Sequence, residues 1–312
     1  MWAYELTAPR QFSRTEIPEP ETLGPGEVLV RLLAGGICGS DVPKFVGIQQ
    51  YGKRDAPGPG YPMHEIAGVV EQTADARFSP GDRVSGYAQG QAGLRQFVAT
   101  PGDCLTHAPD GMTAIQSTAI QPLSTVMFAL DRLPDVGNRD VLVVGLGPIG
   151  LLFCHVLHQA GARVIGVDPV DRSAVAEDYG IDELFVGGIE DWRPSGAAPS
   201  ICIEAVGHQQ ETLTHSVTAL GQEGHLLAFG VPDDETYTFP MRAAFDRGIA
   251  VYFGTTPRWE AVLTRAAAYL GEHRDILDTY ITHVLPPDRA TEAYTLATTA
   301  AIERRKVVID AS

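Results

Sequence analysis

From Met1 to about Thr113 the apolar positions fall in short runs. MWAYELTAP, EVLVRLLAG, EIAGVVEQT, DRVSGYA and QFVAT alternate or run apolar over about the length of one strand. Turn residues separate them, in the clusters Gly24-Pro25-Gly26, Pro57-Gly58-Pro59-Gly60, Pro80-Gly81-Asp82 and Pro101-Gly102-Asp103. Many short strands at close spacing predict a barrel or sandwich. The texture then changes. AIQSTAIQPLSTVMFAL reads as a helix, DVLVVGLG as a buried strand, PIGLLFCHVLHQAG as a helix, RVIGVD as a strand and RSAVAEDYG as a helix. LFV, ICIEAVG, GHLLAFG and IAVYFG are further strands, with QETLTHSVTALG a helix between two of them. Near-continuous Val/Ile/Leu strands separated by helices predict a parallel sheet covered on both faces, the doubly wound α/β (Rossmann) arrangement. The tail, from PRWEAVLTRAAAYLGEH to RKVVIDAS, returns to mixed helix and strand and is expected to pack on the first domain. The expected boundaries are 1–117, completed by 257–312, and 118–256.

Composition narrows the class. At 312 residues, 44% hydrophobic and 20% charged, the chain suits two ordinary globular domains. Lys plus Arg number 23 against 39 Asp plus Glu, a formal net charge of −16. Such a surface repels phosphate backbones and anionic lipid, so neither nucleic acid nor membrane is an expected partner. No run is long and apolar enough to span a bilayer, and MWAYELTAPRQF lacks the basic and apolar regions of a secretory leader. A soluble, cytoplasmic protein is expected. The four cysteines, Cys38, Cys104, Cys154 and Cys202, form no C-x-x-C pair. Neither a zinc ribbon nor a disulfide framework is expected from them.

The sharpest local signal is Gly145-Leu146-Gly147-Pro148-Ile149-Gly150, which follows a buried strand and opens a helix. Asp168 answers it at the end of the next strand, the context a dinucleotide-binding turn requires. Gly145 permits the tight turn, Gly147 lets the backbone approach a pyrophosphate, and Gly150 lets the helix pack closely on the sheet. Pro148 sits in the first helical turn, where its missing N–H costs nothing, and Ile149 follows it. The helix start offers free N–H groups to phosphates. Asp168 suits the ribose hydroxyls and repels a 2′-phosphate, favouring NAD; Arg172 nearby weakens that preference. A methyltransferase places a similar turn and acid, and the turn alone does not exclude it.

In the first domain Gly36-Ile37-Cys38-Gly39-Ser40-Asp41 is followed by His64-Glu65-x-x-Gly68 and then by Gly81-Asp82-Arg83-Val84. Gln121-Pro122-Leu123-Ser124, the dinucleotide turn and Glu204-Ala205-Val206-Gly207 come after them. With these motifs in this order, the chain resembles the zinc-type alcohol and polyol dehydrogenase family of the medium-chain dehydrogenase/reductase superfamily over nearly its whole length. The resemblance implies a GroES-like β-barrel catalytic domain beside the nucleotide domain, with the substrate cleft between them. It implies hydride transfer between NAD(H) and a secondary alcohol or ketone. Cys38 and His64 match the first two ligands of a catalytic zinc, and Glu65 the acid that ligates it in the polyol branch. Thiolate, imidazole and carboxylate suit zinc, which in catalytic sites keeps one position open. Ser40 matches the hydroxyl that carries the alcohol proton outward, and Thr125 a residue that packs on the nicotinamide. Val206, Phe229 and Val231 match the lining of the nicotinamide pocket.

The chain departs from the family pattern in four places. Gln121 stands where a Cys, Asp or Glu usually ligates or approaches zinc, and a neutral amide is a poor ligand. Met63 replaces the usual glycine before the His-Glu pair and is expected to crowd the site. Pro43 occupies the position of the relay histidine, so the proton leaves by another route, such as water. SGYAQGQAGLRQFV carries no cysteine where the family often has a four-cysteine lobe, so no structural zinc is expected.

Other features have plainer readings. Cys104, Cys154 and Cys202 read as packing residues, and His155 and His158 as packing or surface residues of one helix. Glu303-Arg304-Arg305-Lys306 reads as a solvated helix end. Gln89, Gln91 and Gln121 suit a hydroxyl-rich substrate such as a polyol, sugar or cyclitol. IAVYFGTT is a candidate edge strand for a homo-oligomer, a dimer or tetramer. Two rivals stay open: a zinc-free quinone or enoyl reductase of the same superfamily, and a dinucleotide-binding protein without catalysis. Lys44, Lys53 and Lys306 are the only lysines, a bias with no functional account at this level.

Overall fold

In a computed structural model the described residues are 1–48, 58–232, 234–254 and 260–312. Lys53, Pro57 and residues 255–259, with the expected 256/257 boundary, lie outside them. The chain divides into two compact units, Met1–Ser124 with Pro257–Ser312, and Thr125–Thr256. In chain order the strands are β1 (Trp2–Ala8), β2 (Gln11–Glu16), β3 (Glu27–Gly36), β4 (Glu65–Thr73), β5 (Arg83–Tyr87), β6 (Phe97–Pro101), β7 (Leu105–His107), β8 (Asp140–Val144), β9 (Arg163–Asp168), β10 (Glu183–Val186), β11 (Ile201–Glu204), β12 (His225–Ala228), β13 (Ala250–Phe253), β14 (Ile281–Leu285) and β15 (Lys306–Asp310).

The first unit is built on a sheet ordered β14-β15-β3-β4-β5-β7, with β6 also paired to β3; β1 and β2 form a separate hairpin. The carboxy-terminal strands belong to this sheet, since β15 pairs antiparallel with β3 and sets Val308 opposite Gly36. Val28, Val30 and Leu32 alternate inward along β3 and meet Ile66, Val98, Val307 and Ile309 in a solvent-free core. Period-two alternation of this kind is what a sheet with one buried face demands. The antiparallel register of β3 and β4 puts Gly36 opposite Glu65. Cys38, just past the end of β3, and His64, just before β4, are thereby brought to one end of the sheet.

The second unit is a parallel sheet ordered β10-β9-β8-β11-β12-β13. The order reverses direction at β8 and β11, as in the doubly wound fold the strand pattern predicts. Val141, Leu142, Val143, Ile201, Cys202 and Ile203 in the two central strands are fully buried, the signature of strands covered on both faces. The helix Pro148–Gln159 follows β8 directly.

Some helices differ from expectation. The run AIQSTAIQPLSTVMFAL is two helices, Ala114–Ser117 and Ile120–Leu130. RSAVAEDYG carries only a short turn, Ser173–Val175, instead of a helix. The Asp171 carboxylate accepts the Ser173 N–H at 2.8 Å, a local bond that competes with helix propagation. Among the described residues no helix is long and apolar enough to cross a membrane.

Candidate active site

Among the described residues, the end of β3 and the start of β4 bring together a cluster of metal-binding side chains. One ligand atom each from Cys38, His64 and Glu65 lie within 4.8 Å of one another. His64 and Glu65 are buried, and Cys38 is half-buried. Glycine makes room for the acid: a Cβ at Gly36 would sit 2.0 Å from Glu65 Oε2. Met63 does not crowd this face. Its side chain lies over Gly35, where a Cβ would meet the Met63 methyl at 2.3 Å, and it belongs to the apolar core. Neighbouring strand residues face opposite ways, so Gly35 and Gly36 separate the packing methionine from the candidate ligand. Cys38 is the half-buried cysteine and joins this cluster, whereas Cys104, Cys154 and Cys202 are buried. Burial pushes the Cys154 thiol well up and the Cys202 thiol up to about 12, which leaves both inert.

Asp41 organises the cluster. Its Oδ1 lies 3.0 Å from His64 Nδ1, and its Oδ2 accepts the Cys38 N–H at 3.0 Å. Burial by itself would lower the His64 pKa; the facing Asp41 and Cys38 outweigh it and hold the imidazole well above its ordinary value. Burial likewise pushes Asp41 up, but His64 and Lys44 bring the net shift below the usual carboxylate range. With Nδ1 engaged, Nε2 is the ring nitrogen left to bind a metal, the carboxylate–histidine arrangement that fixes tautomer and orientation. Ser40 Oγ donates to Cys38 Sγ at 3.4 Å.

Lys306 corrects the reading of a solvated helix end. It opens β15, is 2% exposed, and its Nζ lies 2.5 Å from Glu65 Oε2 and donates to the Ile37 carbonyl at 3.0 Å. Neither Glu65 oxygen meets hydrogen-bond geometry, so the contact is a close ion pair with acceptor capacity to spare. A thiol, an imidazole with its far nitrogen anchored, and a buried carboxylate with unfilled lone pairs fit a divalent zinc. Asp41 and Lys306 escaped the sequence reading. The signal for Lys306 was its place as the last charge of its cluster, directly before the apolar run VVI; Asp41 stood inside the cysteine motif with no role attached.

The second unit carries the glycine turn. Gly145 has φ +90°, and a Cβ there would meet Val206 at 2.7 Å. A Cβ at Gly150 would sit 1.8 Å from the Gly145 carbonyl oxygen, so helix and strand approach as only glycine permits. At Gly147 a Cβ would have nothing within 4 Å, which leaves its backbone open to a ligand at the helix start, beside Pro148 and Ile149. Asp168 Oδ2 accepts the Leu146 N–H at 2.6 Å and Oδ1 the Val170 N–H at 2.7 Å. The acid thus holds the turn itself, a task the motif does not reveal. Open backbone N–H groups at a helix start beside an acid fit a dinucleotide. Arg172 is buried.

At the ends of β11 and β12 the buried Glu204 ties the next two loops together. Its Oε1 accepts the N–H groups of Val206 and Gly207 and the Thr212 hydroxyl, each at 3.0 Å. Burial raises its pKa against these bonds. Phe229 stacks edge-on against Phe153 with ring centres 5.0 Å apart, and Val231 is exposed. Thr125 and Gln121 are buried on the helix Ile120–Leu130. His155 is buried in its helix and His158 is exposed.

Two family models match the chain, the alcohol dehydrogenase GroES-like domain over residues 24–115 and the zinc-binding dehydrogenase over residues 148–268. The sorbitol dehydrogenase of Homo sapiens is 27% identical over 322 residues, spanning 89% of this chain and 87% of that protein. The sorbitol dehydrogenase of Gallus gallus is 29% identical over 327 residues, with 89% and 87% covered. Among solved structures, an alcohol dehydrogenase from Thermus sp. ATN1 superposes with a TM-score of 0.83 at 22% identity over 99% of each chain. The 2R,3R-butanediol dehydrogenase from Bacillus subtilis has a TM-score of 0.82 at 18% identity over 100% of this chain and 99% of its own. These two share the fold. Both family models fall in order along one sequence that aligns over 89% of its length with sorbitol dehydrogenases, and the chain belongs to the zinc-type alcohol and polyol dehydrogenase family of the medium-chain dehydrogenase/reductase superfamily.

Proposed function

We propose that this chain is an NAD-dependent alcohol dehydrogenase that interconverts a secondary alcohol and a ketone, with a polyol, sugar or cyclitol as substrate. The convergence of Cys38, His64 and Glu65 within 4.8 Å carries the reading. Residues 1–117 with 257–312 serve as the catalytic domain and 118–256 as the dinucleotide-binding domain. Cys38, His64 and Glu65 would hold a single catalytic zinc, which would supply the Lewis acidity that makes an alcohol oxygen easier to deprotonate.

The chain's own residues do the rest. Asp41 keeps the His64 ring in one tautomer and fixes the backbone at Cys38. Ser40 Oγ, within reach of the Cys38 sulfur, takes the alcohol proton. Pro43 has no side chain that can pass it on, so water receives it. Gly145, Gly147, Pro148, Ile149 and Gly150 cradle the pyrophosphate, and Asp168 takes the ribose hydroxyls, which favours NAD over NADP. Arg172, four residues after that acid in sequence, adds positive charge that weakens the preference. Thr125, Val206, Phe229 and Val231 would line the pocket of the nicotinamide, which would supply the hydride acceptor when bound. A zinc-free quinone or enoyl reductase has no use for the thiol–imidazole–carboxylate cluster.

The polyol assignment rests on the sorbitol dehydrogenase relatives and on polar Gln89, Gln91 and Gln121. The enzyme is taken to be cytoplasmic and a homo-oligomer, a dimer or tetramer. Support for the oligomer comes from the edge strand β13, which leaves Phe253 63% exposed, and from Phe245, 79% exposed, in the preceding helix. The substrate test is an NAD-reduction screen over polyols, sugars, cyclitols and simple aliphatic alcohols. Polyols or cyclitols are expected to react fastest; faster turnover of simple alcohols overturns the substrate assignment.

A further inference from the structure

Lys44 and Lys306 are the only described lysines, and each pairs with a carboxylate of the candidate metal cluster. Lys306 meets the candidate ligand Glu65 itself. Lys44 meets no ligand. Its side chain is 9% exposed, its Nζ lies 3.7 Å from Asp41 Oδ1, and it donates to Gln91 Oε1 at 2.6 Å. The same ammonium stands 5.8 Å from the centre of the Tyr61 ring.

Gln91 belongs to a turn that is itself fastened to the residues beside the cluster. The Met63 N–H donates to the Gln91 carbonyl at 2.9 Å, and the Ala88 N–H donates to the His64 carbonyl at 2.8 Å. Gln91 takes φ +60°, a conformation costly for a residue with a side chain, and one the surrounding bonds must hold. The contacts therefore close a ring. Asp41 grips the His64 imidazole, the His64 backbone grips the turn, the turn presents the Gln91 amide, and Lys44 joins that amide back to Asp41. A lysine lost in the interior without such partners would be costly. The ring satisfies it and removes the freedom of the Asp41 carboxylate to swing away from His64.

We propose that Lys44 is a positioning residue of the metal centre, locking the Asp41 carboxylate between His64 and the Gln91 turn so that His64 is presented to the metal in one fixed orientation. The inference rests on the zinc reading above, and it assigns a role that the cysteine and His-Glu motifs do not contain. Outer partners of metal-binding histidines typically contribute about 10- to 100-fold in metal affinity. Lys44 acts one step further out, through Asp41, so about the 10-fold end of that range is expected.

The test uses cobalt(II) as the probe, because zinc has no d–d spectrum. The metal-free full-length protein is titrated with cobalt(II) while the thiolate-to-cobalt and d–d absorption bands are followed. Lys44→Met keeps the length of the side chain and removes its charge. It is expected to weaken cobalt binding about 10-fold and to shift the d–d bands, while NADH affinity stays as in the wild type. Lys44→Arg, which keeps the cation, is expected to bind cobalt close to wild type. Gln91→Leu removes only the anchor and is expected to weaken binding in the same direction but less; it also reads the tie if Lys44→Met does not fold. Wild-type affinity and bands in the folded variants overturn the role of Lys44 and leave the zinc reading standing. A wild-type protein that shows no thiolate-to-cobalt band overturns the zinc reading, and this inference with it.

Discussion

Asp41 and His64 are joined by their side chains at 3.0 Å, Oδ1 to Nδ1, across most of the connection from β3 to β4. One carboxylate therefore sets the ring of one candidate ligand and, through its other oxygen, the backbone of another, Cys38. Asp41→Asn keeps the shape but loses the charge, and offers an amide where His64 needs an acceptor. It is expected to weaken zinc binding by about 10- to 100-fold, measured by competition with a chromophoric chelator. Unchanged zinc affinity would mean that the aspartate serves the fold alone.

The same pair gives the metal-free protein a distinct pH dependence. His64 in the folded state is held well above its ordinary value, so its contribution to stability is complete below about pH 6.5 and is lost as pH rises through the raised value. Asp41 is held below its ordinary value, so its contribution is present above about pH 3.9 and is lost as pH falls through the lowered one. Metal binding requires neutral His64, so affinity for zinc moves the opposite way and rises with pH. Urea unfolding of the chelator-treated protein across this range is expected to show stability falling on the alkaline side, and His64→Asn is expected to remove that slope. A flat profile in the wild type contradicts the assignment.

Lys306 and Glu65 form an ion pair with side chains 3% and 0% exposed. Removing one partner of such a pair leaves a buried charge uncompensated, at a cost of about 3–5 kcal/mol. Lys306→Met is expected to lower the stability of the metal-free protein by about that amount, read from the urea midpoint at constant m-value. A change smaller than about 1 kcal/mol would place the lysine with weak surface pairs instead.

Gly150 and Asp168 hold the glycine turn from two sides. Gly150→Ala pushes a methyl into the space of the Gly145 carbonyl, 1.8 Å away, so the helix must shift. It is expected to destabilise by about 1–3 kcal/mol and to weaken NADH binding in a fluorescence titration. Asp168→Ala removes the acceptor of the Leu146 and Val170 N–H groups and the charge that repels a 2′-phosphate. It is expected to weaken NAD and to narrow the NAD-to-NADP affinity ratio. An unchanged ratio would contradict the assigned role.

The two halves of the site differed in how far they could be read from the chain. Gly145, Gly147, Gly150 and Asp168 are local: a turn between a strand and a helix, and an acid at the next strand end. The parallel, doubly wound sheet of the nucleotide unit was legible in near-continuous apolar runs separated by helices, whereas its strand order came from the structure. Cys38, His64 and Glu65 were legible through motifs beside strand ends. Their partners come from farther away or carry ordinary letters. Lys306 sits behind Glu303-Arg304-Arg305 and looks like one more solvated charge, yet strand pairing buries it beside β3. Lys44 and Gln91 meet only because the turn at Ala88–Gly93 folds onto Met63 and His64. The missing helix in RSAVAEDYG turned on one Asx bond at Asp171, which competes with the helical pattern without disturbing it in the sequence.

The central claim is that Cys38, His64 and Glu65 together hold a metal ion. Elemental analysis of the purified wild-type protein beside Cys38→Ser tests it most directly. One equivalent of zinc per chain is expected in the wild type and its loss in Cys38→Ser, with NADH affinity nearly unchanged. A wild-type protein that stays free of zinc after exposure to it, or a Cys38→Ser variant that keeps its zinc, would contradict the account.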